Sequence, residues 1–293
     1  MPRAHALVGV FVLCVIIGPT ADAWHESEHQ FITAAVQRIL PDDVPGWFVA
    51  GVPGLAAHCS VDPDVFKSRG TPHLRDAESP EHYLDLELLG GTKLPKTRYT
   101  YLALCAKKGV DPEKAGLLPY AVIEWTQRLT LAFAEHRKWP DDPHIRAKCL
   151  VYASNLAHYA ADLCQPLHTT IHFDGRADEG GSSPRTGIHQ KVDGLLHKVV
   201  MEGEDVTNGL EAKVFENLSG AVFAEFHRSH GLVERVYDLE DRLPSVRAKT
   251  IRDVEVRAFA TDRMRAAISF TASLYRTAWE ESAELKLPSW LKR

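Results

Sequence analysis

The sequence predicts an all-α fold: a single-domain helical bundle with long loops. Three observations lead there. Apolar residues recur at helical spacing along most of the chain. Strand-like alternation is scarce. No linker is long or polar enough to divide the chain, and no internal repeat is visible.

Residues 1–23 stand apart from that bundle. Arg3 supplies a short basic start, residues 6–18 are an apolar run, and Ala21-Asp22-Ala23 forms an A-x-A cleavage signature. This reads as a secretory signal peptide. The run is shorter than the roughly 20 residues a bilayer-spanning helix needs, and no other stretch is apolar enough to span. The expected mature chain is 24–293, beginning at Trp24, secreted or periplasmic, without a transmembrane segment or a predicted protein partner. It keeps four cysteines, Cys59, Cys105, Cys149 and Cys164. An even count in an exported chain permits two disulfides. Cys149 and Cys164 share one helical pattern, about 22 Å apart along the axis. A disulfide needs Cα atoms within about 7 Å, which disfavours that pairing. Free buried thiols are the other reading.

Within the mature chain, residues 30–40 carry helical spacing and stop at Pro41. Residues 118–136 form an amphipathic helix with Pro119 in its first turn. Asp141-Asp142-Pro143 opens a helix over 143–163 that ends before Pro166. Residues 187–201, 210–227 and 251–285 complete the helical set. Three stretches, 41–81, 86–117 and 169–187, read as loop-rich. Each lies beside clustered His or Asp, and long loops in a compact domain are usually functional or mobile.

Hydrophobic residues make up 45% and charged residues 25%, which excludes disorder and fibrous repeats. The net charge of −5 and pI near 6.3 exclude a broad basic face for polyanions. The unusual count is 15 His, and neutral imidazole is the commonest protein metal ligand.

The histidines fall into a pattern. His158 and Asp162 are four apart on a predicted helix and share a face. Gln165-Pro166-Leu167-His168 breaks that helix and lets His168 turn back. His189 and Asp193 repeat the i, i+4 spacing. One such pair reads as a surface ion pair; two pairs with a His between them suit zinc. Upstream lie Glu81-His82-Tyr83-Leu84-Asp85, Asp62-Pro63-Asp64-Val65-Phe66-Lys67, and the new N-terminus Trp24-His25-Glu26-Ser27-Glu28-His29.

From Trp24 to Asp193 the chain resembles the trinuclear-zinc superfamily of single-strand-specific fungal and plant nucleases and bacterial phospholipase C. In that family the N-terminal Trp donates its α-amino nitrogen and carbonyl oxygen to zinc, so processing must expose it. The resemblance implies three Zn²⁺ ions. Trp24 and His29 correspond to ligands of one, and Asp64, His82 and His158 to ligands of a second. Asp162 matches the carboxylate bridging those two. His168, His189 and Asp193 correspond to ligands of the third. Asp64 is preferred to Asp62 on the motif D-x-[aromatic/aliphatic]-[K/R]. Lys67 matches a basic residue that steadies the phosphate; together with Asp64 and Asp162 it makes up the expected catalytic set. A bridged zinc pair lowers the pKa of a shared water toward roughly 7, so a bridging hydroxide attacks phosphorus in line.

Two details favour the nuclease branch, with single-stranded DNA, RNA or nucleotide as substrate. His29 follows Trp24 by five residues, and the last zinc carboxylate is Asp193, where phospholipases carry Glu. The resemblance then casts Tyr83 as a stacking platform and Asp85 as a base-edge acceptor; a core role for Tyr83 stays open. A phospholipase C acting on lipid head groups is the alternative. A secreted zinc-binding helical protein without catalysis is the further one.

Several features keep plainer readings. Residues 93–101 (KLPKTRYTY) with Lys107-Lys108 interleave basic and aromatic residues; they either line a nucleic-acid path or form a solvated loop. His25 to His29 satisfies H-E-x-x-H, the zinc-protease motif, but it begins one residue into the mature chain with no upstream scaffold. It is read as a chance match. Among the remaining histidines, His172, four after His168, is the nearest to a ligand. Asn217-Leu218-Ser219 is a glycosylation sequon in a eukaryotic source.

Overall fold

The computed structural model describes residues 26–178, 181–201 and 205–293. The expected leader (1–23), Trp24 and His25 lie outside the described residues. Thirteen α-helices run through the described chain: α1 Glu26–Val36, α2 Gly46–Gly51, α3 Ala57–Cys59, α4 Asp62–Phe66, α5 Pro72–Glu78, α6 Arg98–Lys108, α7 Pro112–Ala115, α8 Leu118–Lys138, α9 Pro143–Leu163, α10 Ile188–Met201, α11 Leu218–His230, α12 Val233–Asp238 and α13 Val254–Glu281. A π-helical turn, Val52–Ala56, joins α2 to α3. Extended pairing among the described residues is limited to isolated bridges, Leu84 with Gly116 and Phe173 with Gly175. The fold is all-α.

The centre of the molecule is the α8–α9 hairpin, crossed by α13, with α1 and α10 packed against α13. Local chemistry sets the borders of α9. Asp142 caps its first turn by accepting from the backbone N–H groups of His144 and Ile145, and Pro143 occupies the position where no N–H is needed. At the other end Pro166 cannot continue the helix, and the Gln165 side chain accepts from Leu167 N–H. Asp253 caps α13 in the same way. Phe48, Phe133 and Tyr275 meet edge-on between α2, α8 and α13 and are fully buried. Each such side chain contributes roughly 1.5–3 kcal/mol.

Several expectations need correction. Residues 41–81 hold α2 to α5, and residues 86–117 hold α6 and α7, so neither is a plain loop. Apart from α6, which has 11 residues, these helices are one or two turns long, too short for helical periodicity to show. The Thr97 capping box starts α6 inside the basic–aromatic run. The first helix begins at Glu26 rather than residue 30. The helix expected from 210 begins only at Leu218: residues before it lie along α13, where Lys213 and Phe215 donate backbone N–H bonds to Ser273 and Thr277 side chains. Those side chains compete successfully with helix formation. All four described cysteines are free thiols, Cys105, Cys149 and Cys164 being buried.

Candidate metal centre

Six elements converge on one buried spot. His29 comes from the first turn of α1, Asp64 from α4, His82 from the end of the 3₁₀ turn Ser79–His82, and His158 and Asp162 from α9. Pro166 turns the chain into the 3₁₀ segment Pro166–Thr169, which carries His168. The α10 face supplies His189 and Asp193. Three groups of ligand-type side chains result: His29, His158 and Asp162; Asp64, His82 and His158; and His168, His189 and Asp193. In each, the three potential donor atoms lie within 4.8 Å of one another.

Asp162 is fully buried and its two oxygens serve different sides. Oδ1 lies 3.4 Å from His29 Nε2. Oδ2 lies 3.1 Å from His82 Nδ1 and 3.4 Å from His158 Nε2. Asp64 Oδ1 completes the second side, 3.9 Å from His82 Nδ1 and 3.8 Å from His158 Nε2. In the third group His189 Nε2 lies 3.3 Å from Asp193 Oδ2, while Gln165 Nε2 donates to Asp193 Oδ1 at 2.9 Å. Lys67 reaches Asp64 Oδ1 at 2.5 Å. Asp62, by contrast, sits against Cys59.

The imidazoles are held by the backbone. His158, His168 and His189 each donate Nδ1–H to a carbonyl, of Ser60, His82 and Phe173, at 2.7, 2.6 and 3.0 Å. Each therefore presents an Nε2 lone pair to the centre. Burial holds His29, His82 and His168 well below the ordinary histidine pKa. It lowers His158 to about 3 and His189 to about 4. All five are neutral at pH 7, the form a metal ion requires. The Asp162 carboxyl is pushed well above its usual range by burial and by the Asp64 charge.

These residues fit a metal. His29 Nε2, Asp162 Oδ1 and His168 Nε2 are buried without a hydrogen-bond partner. Such atoms cost free energy when left bare. Five imidazoles and three carboxylates make a donor set suited to zinc. Trp24 lies outside the described residues, and the first group is completed among them by His158.

A cavity of about 770 Å³ opens onto the centre, lined at its base by Asp64, His82, His168 and His189. That volume is typical of a small-molecule site. Tyr83 and Asp85 line the same cavity. Tyr83 is half-buried, with its hydroxyl donating to Glu113 carbonyl oxygen at 2.6 Å, and burial pushes that hydroxyl up to about 12. Burial, reinforced by Glu87, pushes Asp85 up to about 8. The shift favours the protonated form, which offers an O–H donor beside its acceptor oxygen.

The sequence reading also missed much of the cavity wall. Leu88, Leu167, Ile171 and Phe173 form an apolar side, and Arg75 and Lys114 add cations. Phe173 and Ile171 sit in the 169–187 stretch, whose position beside the histidines was the available signal. Arg75 and Lys114 carried none. The 93–101 run does not line this cavity: Arg98 is tied to Glu81 and Glu124, and Tyr101 is buried with its hydroxyl on Gly116 carbonyl oxygen. His172 stays out of the three groups, and its Nδ1 accepts from Ala177 N–H.

No protein-family profile matches the chain, and no curated relative does. Among solved structures, the chain is similar to the alpha toxin from Clostridium absonum, at 14% identity and a TM-score of 0.48. The match covers 88% of this chain and 64% of that one, so the chain spans just under two thirds of the toxin.

Proposed function

We propose that the chain is a secreted zinc-dependent phosphodiesterase that hydrolyses single-stranded DNA or RNA. The observation that carries this reading is Asp162, whose two carboxylate oxygens face two different sets of histidines, with His82 of the second set lining an open cavity. Trp24, exposed by removal of residues 1–23, His29 and Asp162 would hold one ion. Asp64, His82, His158 and Asp162 would hold a second, and His168, His189 and Asp193 a third. When bound, zinc lowers the pKa of water toward neutrality and polarises a phosphoryl oxygen.

The chain's own groups do the rest. The neutral imidazoles take up metal without first shedding a proton. Lys67 lines the cavity beside Asp64 and offers a cation to a phosphate oxygen. The Tyr83 ring offers a base a stacking face, worth roughly 1–3 kcal/mol and indifferent to sequence. The Asp85 carboxyl faces the base edge. Lys114 adds local positive charge that a net charge of −5 conceals, while Arg75 is paired with Asp76.

One observation favours a phospholipase C as the second reading: the cavity is flanked by apolar Leu88, Leu167, Ile171 and Phe173, and Val65 at its edge is 61% exposed. A zinc-binding protein without catalysis would not need a cavity opening onto its donor atoms.

The test is an assay of the processed chain on single-stranded DNA, RNA and phosphatidylcholine vesicles, with and without a chelator. Turnover of nucleic acid that a chelator abolishes and zinc restores is expected. Asp162→Ala should lose more than about 100-fold, beyond the usual effect of an outer-sphere change. Lipid-only turnover would replace the first reading by the second. Turnover insensitive to chelator would overturn both.

A further inference from the structure

We propose that Glu78 and Tyr159 are positioning residues for His82, fixing which of its ring nitrogens faces the metal centre. This rests on the metal-centre reading above.

His82 is anchored unlike its neighbours. His158, His168 and His189 each spend Nδ1 on a backbone carbonyl and turn Nε2 inward. His82 is reversed. Its Nδ1 points inward, 3.1 Å from both Asp162 Oδ2 and His158 Nε2. Its outward Nε2 is buried and hydrogen-bonds to no carbonyl. The group it meets is the Glu78 carboxylate, with Oε1 at 3.6 Å, one helical turn earlier in the chain.

That oxygen is itself held. The Tyr159 hydroxyl donates to Glu78 Oε1. Tyr159 follows His158 directly on α9, and its ring lies edge-on to both His82 and His158. At 3.6 Å the Glu78–His82 contact is about half an ångström beyond a hydrogen bond. The proposed role requires that contact to close by that much. A carboxylate accepting from a ligand histidine keeps the proton on the outer nitrogen and the lone pair on the inner one. Backbone carbonyls perform this task for three of the histidines, and a side-chain pair performs it for His82. The same pair joins the end of α5 to α9, so the histidines flanking Asp162 Oδ2 are set relative to each other by one shared hydroxyl–carboxylate contact.

The test uses the processed full chain with Glu78→Ala, Glu78→Gln and Tyr159→Phe. Two quantities are read: zinc affinity in competition with a chromophoric chelator, and the ¹⁵N shifts of the His82 ring in zinc-free and zinc-loaded protein. Glu78→Ala should weaken one ion by about 10–100-fold and move the zinc-free His82 ring toward a mixture of tautomers. Glu78→Gln keeps an acceptor oxygen and should restore most of both. Tyr159→Phe removes a single oxygen, leaves packing intact and should weaken the same ion by up to about ten-fold. Unchanged ring shifts and affinity in Glu78→Ala and Tyr159→Phe would overturn the proposal while leaving the metal centre standing. A lower melting temperature with unchanged ring shifts would also overturn it, as a purely structural role. Wild-type protein that binds no zinc would instead refute the metal centre, and the zinc-free ring shifts would still decide the role of Glu78.

Discussion

Asp162 and Asp85 are both carboxyls displaced upward by burial, and they differ in what surrounds them. Asp162 has imidazole nitrogens on both of its oxygens, an arrangement a cation completes. Asp85 has Glu87 nearby and an apolar-walled cavity in front, so a proton is what completes it. The sign of its effect on stability follows. Its folded pKa of about 8 exceeds its unfolded value of about 4. Its contribution is fully present below pH 4 and is lost as pH rises through 8, because the folded state holds a proton that the unfolded state has released. Asp85→Asn mimics the protonated form at every pH. The variant should gain stability relative to wild type progressively from pH 4 to pH 8, read as the difference in urea midpoints. A difference independent of pH would contradict the burial argument.

At the scale of elements, the site depends on a short segment zipped between two others. Leu84 donates its N–H to His168 carbonyl oxygen, and His168 Nδ1 donates back to His82 carbonyl oxygen. On the other side Asp85 N–H donates to Ala115 and Leu118 N–H to Tyr83. Gly116 makes that second contact possible. Its φ is +87°, and a Cβ there would stand 2.0 Å from Tyr83 carbonyl oxygen. Gly116→Ala should cost about 1–3 kcal/mol through backbone strain. It should also push the 82–85 segment away, raising KM and lowering kcat together, because Tyr83 and Asp85 line the cavity and the donor His82 lies on the same segment. Denaturant midpoints and steady-state kinetics check both. A fully stable variant with normal KM would show that the segment is held from the His168 side alone.

At the scale of the molecule, the candidate centre is also a joint between helices. α1, α4, α9 and α10 each contribute a donor side chain, and the atoms that meet are buried polar groups with few partners of their own. A ligand that binds only the folded state stabilises it by about 4 kcal/mol at a thousand-fold excess over Kd. For a chain of this size that amounts to a shift on the order of 10 °C in Tm. Zinc should therefore raise Tm by that order in chelator-stripped protein, and a chelator should reverse the rise. A Tm indifferent to both would mean that the donor groups do not close on a cation. No helix of the described residues is long and apolar enough to cross a membrane, so none of these joints sits within a bilayer-spanning helix.

The sequence by itself determined what depends on neighbours along the chain. The long helices follow from apolar spacing and caps: α9 ends where Pro143 and Pro166 require, and the i, i+4 pairs His158–Asp162 and His189–Asp193 share a helix face by geometry alone. The all-α class was legible for the same reason. Tertiary structure decided everything that depends on contact at a distance. It brought His29 within reach of Asp162 from the other end of the fold, put Asp64 rather than Asp62 beside His82, left the thiols unpaired and turned the 93–101 run away from the cavity. It also reversed the His82 ring and set Glu78 behind it. The roles of His29, Asp64 and Asp162 were legible only through the family resemblance; the orientation of the His82 ring and the Glu78 behind it were not readable, because a side chain's environment is set by what packs around it, not by what precedes it in the chain.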